Sequence, residues 1–272
     1  MITFSNAKIN IGLSIVSKRT DGYHNLETVF YPIPITDVLE IYNSKNKDKS
    51  ISLHVFGNNI PGEFSENLIV KAYNLLSKDF NLTPIDVFLS KKIPSGSGLG
   101  GGSSNAACMI KSLNSFFNLN LSAKRMEEYA TQLGADCPFF IQNKPVFAEG
   151  IGELFTPINL SLKGHTLLVI KPKLFISTQE AFSRIQPKKP LYPLLDCIQL
   201  PINRWEKYIT NDFEKHLFVT YPELQSIKDF LYNSGALYAA MSGSGPSIYG
   251  IFNKEDALPD LSAFTEYYRC NL

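Results

Sequence analysis

Apolar and polar positions alternate near the start of the chain. Ala7, Ile9, Ile11, Leu13 and Ile15 are separated by Lys8, Asn10, Gly12 and Ser14. A period of two marks a strand with one buried face, so Lys8 and Asn10 point to the same side. The stretch RTDGYHNLE carries the turn signal Asp21-Gly22 and returns through ETVFYPIPI, where Pro32 and Pro34 predict an edge strand or a strand end. DVLEIY and ISLHVF read as two further strands separated by the polar loop NSKNKDKS. The period then changes. Ser65 reads as the N-cap of a helix on which Leu68, Ala72, Leu75 and Ile69, Leu76, Phe80 recur at helical spacing. IDVFLSKKI reads as a strand leading into a glycine-rich run. Beyond that run, Ala106, Ile110, Leu113 and Phe117 predict a helix starting near Ser103 or Ser104. AKRMEEYATQL is a further helix, begun after Ser122 and stopped at Gly134.

A second unit is expected after about residue 158, where the loop-like PINLSLKG gives way to TLLVIKP, a new strand. The division is therefore 1–158 and 159–272. Helices are expected around Glu180, from Trp205 to Leu217 and from Pro222 to Asn233, the last closed by Gly235. LYAAM and PSIYGIF supply two strands flanking MSGSGP. Antiparallel-looking strands with interspersed helices predict an α+β protein in two layers rather than a regular βαβ array.

Composition narrows the function classes. The 272 residues are 44% hydrophobic, and 26 Lys plus Arg against 25 Asp plus Glu leave a net charge of +1. That balance excludes the electrostatic footprint of a non-specific nucleic-acid binder, so any bound anion needs a local site. Cys108, Cys137, Cys197 and Cys270 lack zinc-ligand or CxxC spacing. The beginning MITFSNAKINIG has no secretory pattern, and no apolar run approaches the ~20 residues that span a bilayer. The expectation is a cytoplasmic protein with reduced thiols and no membrane partner.

The candidate chemistry sits in IPSGSGLGGGSSNAA, with glycines at 96, 98, 100, 101 and 102. Strand, glycine run and helix together place backbone amides and a helix N-terminus around an anion. A Walker A loop would end in Gly-Lys-Ser/Thr, whereas Gly102 is followed by Ser103 and the loop holds no lysine. Gly96, Gly98 and Gly101 satisfy G-x-G-x-x-G formally. The acidic residue expected about 20 positions on, at the end of a second strand, is missing. H-R-D and D-F-G are absent too. A nucleotide-phosphate loop of another construction remains.

PSGSGLGGGSSNAA resembles the central phosphate-binding motif of the superfamily named for galactokinase, homoserine kinase, mevalonate kinase and phosphomevalonate kinase. NAKINIGLSIVSKRTDGYHNLET resembles its N-terminal motif and AAMSGSGPSIYGIF its C-terminal glycine-rich motif. Within the superfamily, DGYH, GLGGGSSNAA and GADCPFF resemble the branch that acts on a cytidine-diphosphate-linked methylerythritol in non-mevalonate isoprenoid synthesis. The resemblance implies an N-terminal domain like domain 2 of ribosomal protein S5 and a ferredoxin-like C-terminal domain. It also implies ATP as phosphoryl donor, accompanied by Mg²⁺ whose ligands the motifs do not assign, and the 2-hydroxyl of the substrate as acceptor. A homoserine or sugar kinase of the same superfamily is the alternative.

Phosphoryl transfer needs a phosphate cradle, positive charge on the migrating group and a group that takes the hydroxyl proton. The resemblance assigns the cradle to Pro94, Ser95, Gly96, Ser97, Gly98, Leu99, Gly100, Gly101, Gly102, Ser103 and Ser104. It assigns the charge to Lys8 and the base to Asp136. Tyr23 and Phe182 match the rings that stack on cytosine, and His24 the reader of its edge. Asn10, Thr178, Gly243, Ser244 and Gly245 match substrate contacts. His54, His165 and His216 show no pairing and read as structural.

Overall fold

The computed structural model describes residues 1–272. The N-terminal half runs through β1 (Ile2–Lys18), β2 (His24–Asn43), β3 (Ile51–Gly57), α1 (Leu68–Leu76), β4 (Ile85–Lys91), α2 (Gly101–Phe116), α3 (Ala123–Thr131) and α4 (Phe139–Gln142). It continues with β5 (Val146–Glu149), β6 (Leu154–Pro157), β7 (His165–Ile170), α5 (Thr178–Phe182) and α6 (Leu194–Cys197). α7 (Glu214–Thr220), α8 (Pro222–Asn233), β8 (Tyr238–Met241), β9 (Ile248–Asn253) and β10 (Tyr267–Asn271) complete the chain. The α+β expectation holds. All four cysteines are free, and no helix is long and apolar enough to cross a membrane.

Two compact units form, neither contiguous in sequence. The first comprises Met1–Ala7, Ile35–Ser95 and Gly100–Lys144, the second Lys8–Pro34, Gly96–Leu99 and Pro145–Leu272. In the first, β3 runs parallel to β4, and β4 antiparallel to the Val38–Asn43 end of β2. Its helices α1 and α2 bury Ile69, Val70, Ala72, Tyr73 and the Ala106–Ile110 stretch. In the second, Thr28–Phe30 of β2 pairs with β5 and β5 with β6. A separate antiparallel sheet in the order β10-β7-β9-β8 carries its own core, in which Leu168, Ile170, Ala239 and Phe252 meet Leu224, Ile227 and Leu231 of α8.

Several local expectations change. β2 is one twenty-residue strand paired on both sides, not an edge that stops at its prolines. Pro32 and Pro34 fall between the segments registered with β5 and β4, where their missing N–H groups cost no bond in either ladder. α1 is capped by Asn67, whose Oδ1 accepts from the Ile69 N–H (2.9 Å), while Ser65 lies in a preceding 3-10 turn and Phe80 beyond the helix end. α2 starts at Gly101, because Gly100 in the left-handed region (φ +71°) ends the loop and its carbonyl accepts from Ser104 N–H. The helix expected from Trp205 to Leu217 is split into a 3-10 turn at Ile202–Lys207 and α7. Between them, the Asp212 carboxylate accepts the Ile15 N–H (2.7 Å) and the Leu13 N–H bonds to the Thr210 carbonyl, ties that draw the chain out of helix.

The alternation of β1 also breaks. Asn10 Nδ2 donates to Thr28 Oγ1 (3.0 Å), while Leu13 and Ile15 share a core with Leu26 and Phe182, and Phe182 stacks on His24. His24, Leu26 and Thr28 occupy one face of β2 by spacing, so Asn10 and Leu13 lie on the same side. Gly12, at φ +65°, absorbs the shift as a bulge glycine does.

Candidate active site

Within the first unit, the first turn of α2 is built from Gly101, Gly102 and Ser103. A side chain at Gly101 would meet Ile93 Cγ2 at 2.7 Å, so packing alone accounts for that glycine. Gly102 is different: it is exposed, has no positive φ, and an added Cβ would have only Leu68 Cδ1 at 3.8 Å beside it. Neither packing nor backbone strain calls for glycine there. Open space over helix amides suits a close-lying anion.

Asp136 is half-buried in the turn between α3 and α4. Its neighbour Cys137 is fully buried, and its thiol shares a hydrogen bond with the Ser103 side chain. Burial pushes that thiol up to about 12; the Ser103 bond opposes the rise and the Asp136 carboxylate adds to it. The turn bearing Asp136 is thereby tied to the first turn of α2.

Within the second unit, three stretches remote in sequence meet. Lys8 is 3% exposed; its Nζ donates to Asn10 Oδ1 and lies 4.8 Å from the Phe30 ring centroid. Its backbone N–H donates to the Leu99 carbonyl (2.9 Å). The Ser242 hydroxyl accepts from Asn10 N–H (3.2 Å) and donates to the Gly98 carbonyl (2.9 Å). Ser247 N–H reaches the Ser97 carbonyl (3.2 Å), and Tyr249 OH donates to the Asn10 carbonyl (2.8 Å). An added Cβ at Gly98 would stand 2.0 Å from the Ser242 carbonyl oxygen, so this close backbone approach, with φ +80°, requires glycine. Asn211 Nδ2 donates to the carbonyls of Met241 (2.9 Å) and Gly243 (2.8 Å), shaping the turn that holds Gly243, Ser244 and Gly245. Ser97, Gly243 and Gly245 are buried and Ser244 is half-buried.

The expected base-stacking residues are placed unevenly. Tyr23 is 62% exposed beside the Asp21 turn, Asp21 accepting its N–H (3.1 Å). The His24 ring lies on Phe182 at 5.1 Å and 24°, and Phe182 meets Phe213 edge-on at 4.9 Å. Phe182 is thus a core residue with one face turned to His24. Thr178 is the exposed first residue of α5. The remaining histidines are elsewhere: His54 stacks on Phe88, His165 bonds to the Leu162 carbonyl, and His216 Nε2 is buried without a partner. No group of three His, Cys, Asp or Glu could hold a metal ion.

Thr28 and Asn211 were not among the expected residues, nor was Ser242. Ser242 lies in MSGSGP, but only contact across the fold distinguishes it from Ser244; nothing local marks Thr28 or Asn211.

Two family descriptions match the chain, "GHMP kinases N terminal domain" over residues 67–144 and "GHMP kinases C terminal" over residues 196–270. A 4-diphosphocytidyl-2-C-methyl-D-erythritol kinase of Bacteroides thetaiotaomicron is 56% identical over 96% of this chain and 95% of its own length. One of Parabacteroides distasonis is 46% identical over 98% and 97%. A crystal structure of 4-(cytidine 5'-diphospho)-2C-methyl-D-erythritol kinase gives a TM-score of 0.81 at 28% identity, covering 99% of this chain and 98% of that one. The Methanococcus jannaschii mevalonate kinase gives 0.72 at 18% identity over 100% and 98%, a likeness of fold. Likeness over nearly the whole length, on a two-domain α+β fold, shows that the chain belongs to the 4-diphosphocytidyl-2-C-methyl-D-erythritol kinase branch of the GHMP kinase family.

Proposed function

We propose that this chain transfers the γ-phosphoryl group of ATP to the 2-hydroxyl of 4-diphosphocytidyl-2-C-methyl-D-erythritol, giving the 2-phosphate and ADP. The reaction is a step in non-mevalonate isoprenoid precursor synthesis. The observation that carries the reading is the near full-length likeness to kinases bearing that substrate's name. The reading keeps the division of the sequence into 1–158 and 159–272.

In this reading, residues 94–104 cradle the nucleotide phosphates, and the glycine at 102 leaves the helix amides open to them. Lys8, desolvated and aimed by Asn10, carries its charge toward the migrating phosphoryl group, where a low dielectric strengthens it. Asp136 takes the hydroxyl proton. Asn10 orients Lys8 and the acceptor, and the turn at Gly243, Ser244 and Gly245 closes over the substrate. Tyr23, His24, Phe182 and Thr178 hold the cytidine end. For the base to lie on Phe182, His24 leaves that ring face and reads the base's edge.

Mg²⁺ would be held largely by the nucleotide phosphates and water, with Ser103, half-buried in the first turn of α2, as the hydroxyl that would assist, since no group of three His, Cys, Asp or Glu is placed to bind it. When bound, it neutralises phosphate charge.

An ADP-release assay with Mg-ATP tests the reading. Release is expected with the cytidyl substrate and not with homoserine or free sugars; absence of substrate-stimulated release would overturn it. Within the loop, Gly102→Ala is expected to keep or slightly raise the melting temperature, because alanine is the better helix residue by roughly 0.5–1 kcal/mol. The KM for ATP should rise by about tenfold, or 1.4 kcal/mol. An unchanged KM would remove the phosphate from that position.

A further inference from the structure

Within the first unit, a buried polar network at the base of the glycine loop takes no part in the chemistry described so far. Asp37 of β2 is fully buried and accepts four hydrogen bonds. Its Oδ1 takes the backbone N–H groups of Lys92 (2.7 Å) and Ile93 (2.7 Å). Its Oδ2 takes Lys91 Nζ and Asn105 Nδ2 (2.9 Å). Asn105 Nδ2 also donates to Ser5 Oγ (2.7 Å), and Ser5, Lys91 and Asn105 are each at most 3% exposed.

The positions of the donors matter. Lys91 closes β4, Lys92 and Ile93 lead into residue 94, and Asn105 stands one residue past Ser104 on α2. One carboxylate therefore grips the chain immediately before the 94–104 loop and immediately after it. A buried ion pair is weak support for stability in itself, since packed apolar residues would serve as well or better. A fully satisfied network does specify one arrangement of the groups it joins. The loop it encloses is rich in glycine and would otherwise lose much freedom on meeting a ligand.

We infer that Asp37 is a positioning residue for the nucleotide: it clamps both ends of the 94–104 loop, so the phosphate-binding amides are arranged before ATP arrives. Asn105 extends the clamp to α2 and Ser5 orients Asn105. The inference rests on the reading of residues 94–104 as the ATP cradle. A clamp of this kind acts on ATP and leaves the alcohol substrate alone, whereas a merely structural role would show no such selectivity.

Three variants test it, each measured for KM toward ATP, KM toward the cytidyl substrate and melting temperature. D37L/K91M removes the ion pair and the acceptor of the Lys92 and Ile93 N–H groups. Its KM for ATP is expected to rise at least about tenfold, with KM for the alcohol within about twofold of wild type. D37N/K91M removes the same charges but keeps an amide oxygen for Lys92 and Ile93, and should recover most of the loss. N105A leaves both backbone bonds and the ion pair in place. Of the two hydrogen bonds it removes, the one to Asp37 belongs to the clamp, so it should raise KM for ATP by about threefold, and it serves if D37L/K91M does not fold.

Equal rises in both KM values overturn the clamp. So does a folded D37L/K91M with wild-type KM for ATP, or a wild-type value in N105A when D37L/K91M fails to fold. A wild type that shows no ATP-dependent transfer overturns the kinase reading itself; an active wild type beside insensitive variants overturns the clamp alone.

Discussion

Asp136→Ala is expected to lose kcat by about 10²- to 10⁴-fold, the usual contribution of a placed base, while the dissociation constant for ATP, measured by titration calorimetry, stays near the wild-type value. The half-buried turn that carries Asp136 is held through Cys137 and Ser103, neither of which the substitution removes. Lys8→Ala should show a comparable loss for a different reason. It takes a cation from a desolvated position and leaves Asn10 Oδ1 without its donor. Folded variants that turn over near the wild-type rate would exclude both roles. A loss confined to KM would assign the residues to binding.

Gly98→Ala should fail at the level of folding. The added methyl would lie 2.0 Å from the Ser242 carbonyl oxygen, a backbone atom with nowhere to move, at a φ of +80° that alanine rarely adopts. A cost of about 3 kcal/mol or more is expected, among the largest single-substitution effects, lowering the melting temperature by roughly 6–12 °C for a domain of this size. The same change four residues on, at Gly102, has ample room. Two alanines in one loop thus separate stability from ligand binding. A Gly98→Ala protein melting like wild type would refute the close packing of the loop on the 242–245 turn.

Much of this was legible from local pattern. β1, the strand before the glycine run, α2, α3 and α8 each announce themselves by period, cap or stop residue, and the loop's composition singles it out without reference to any fold. The unread parts are those decided at a distance. The phase shift at Gly12 has no signature, because Leu13 and Ile15 are as apolar as Ile9 and Ile11, and only contact with Leu26 and Phe182 separates the two sides. β5, β6 and β10 are short and gain their identity from pairing. Pro32 and Pro34 mislead because a proline's cost depends on which neighbour its N–H would have faced. Asp37 looks like any strand carboxylate until Lys91 and Asn105 are placed against it. A cut in the sequence also cannot foresee compact units that exchange segments of the chain.

The Ser242 hydroxyl joins Asn10, 232 residues earlier, to Gly98, 144 residues earlier. A chain emerging from the ribosome makes its first strand and its glycine loop long before this serine exists. Contacts of such separation are slow to form, since a large loop must close before they return anything. Until synthesis has passed residue 242, the Asn10 amide and the Gly98 carbonyl must be satisfied by water, and the part of the loop around Gly98 waits in an unfinished state. The glycine loop, central in the sequence, is among the last features of the molecule to mature.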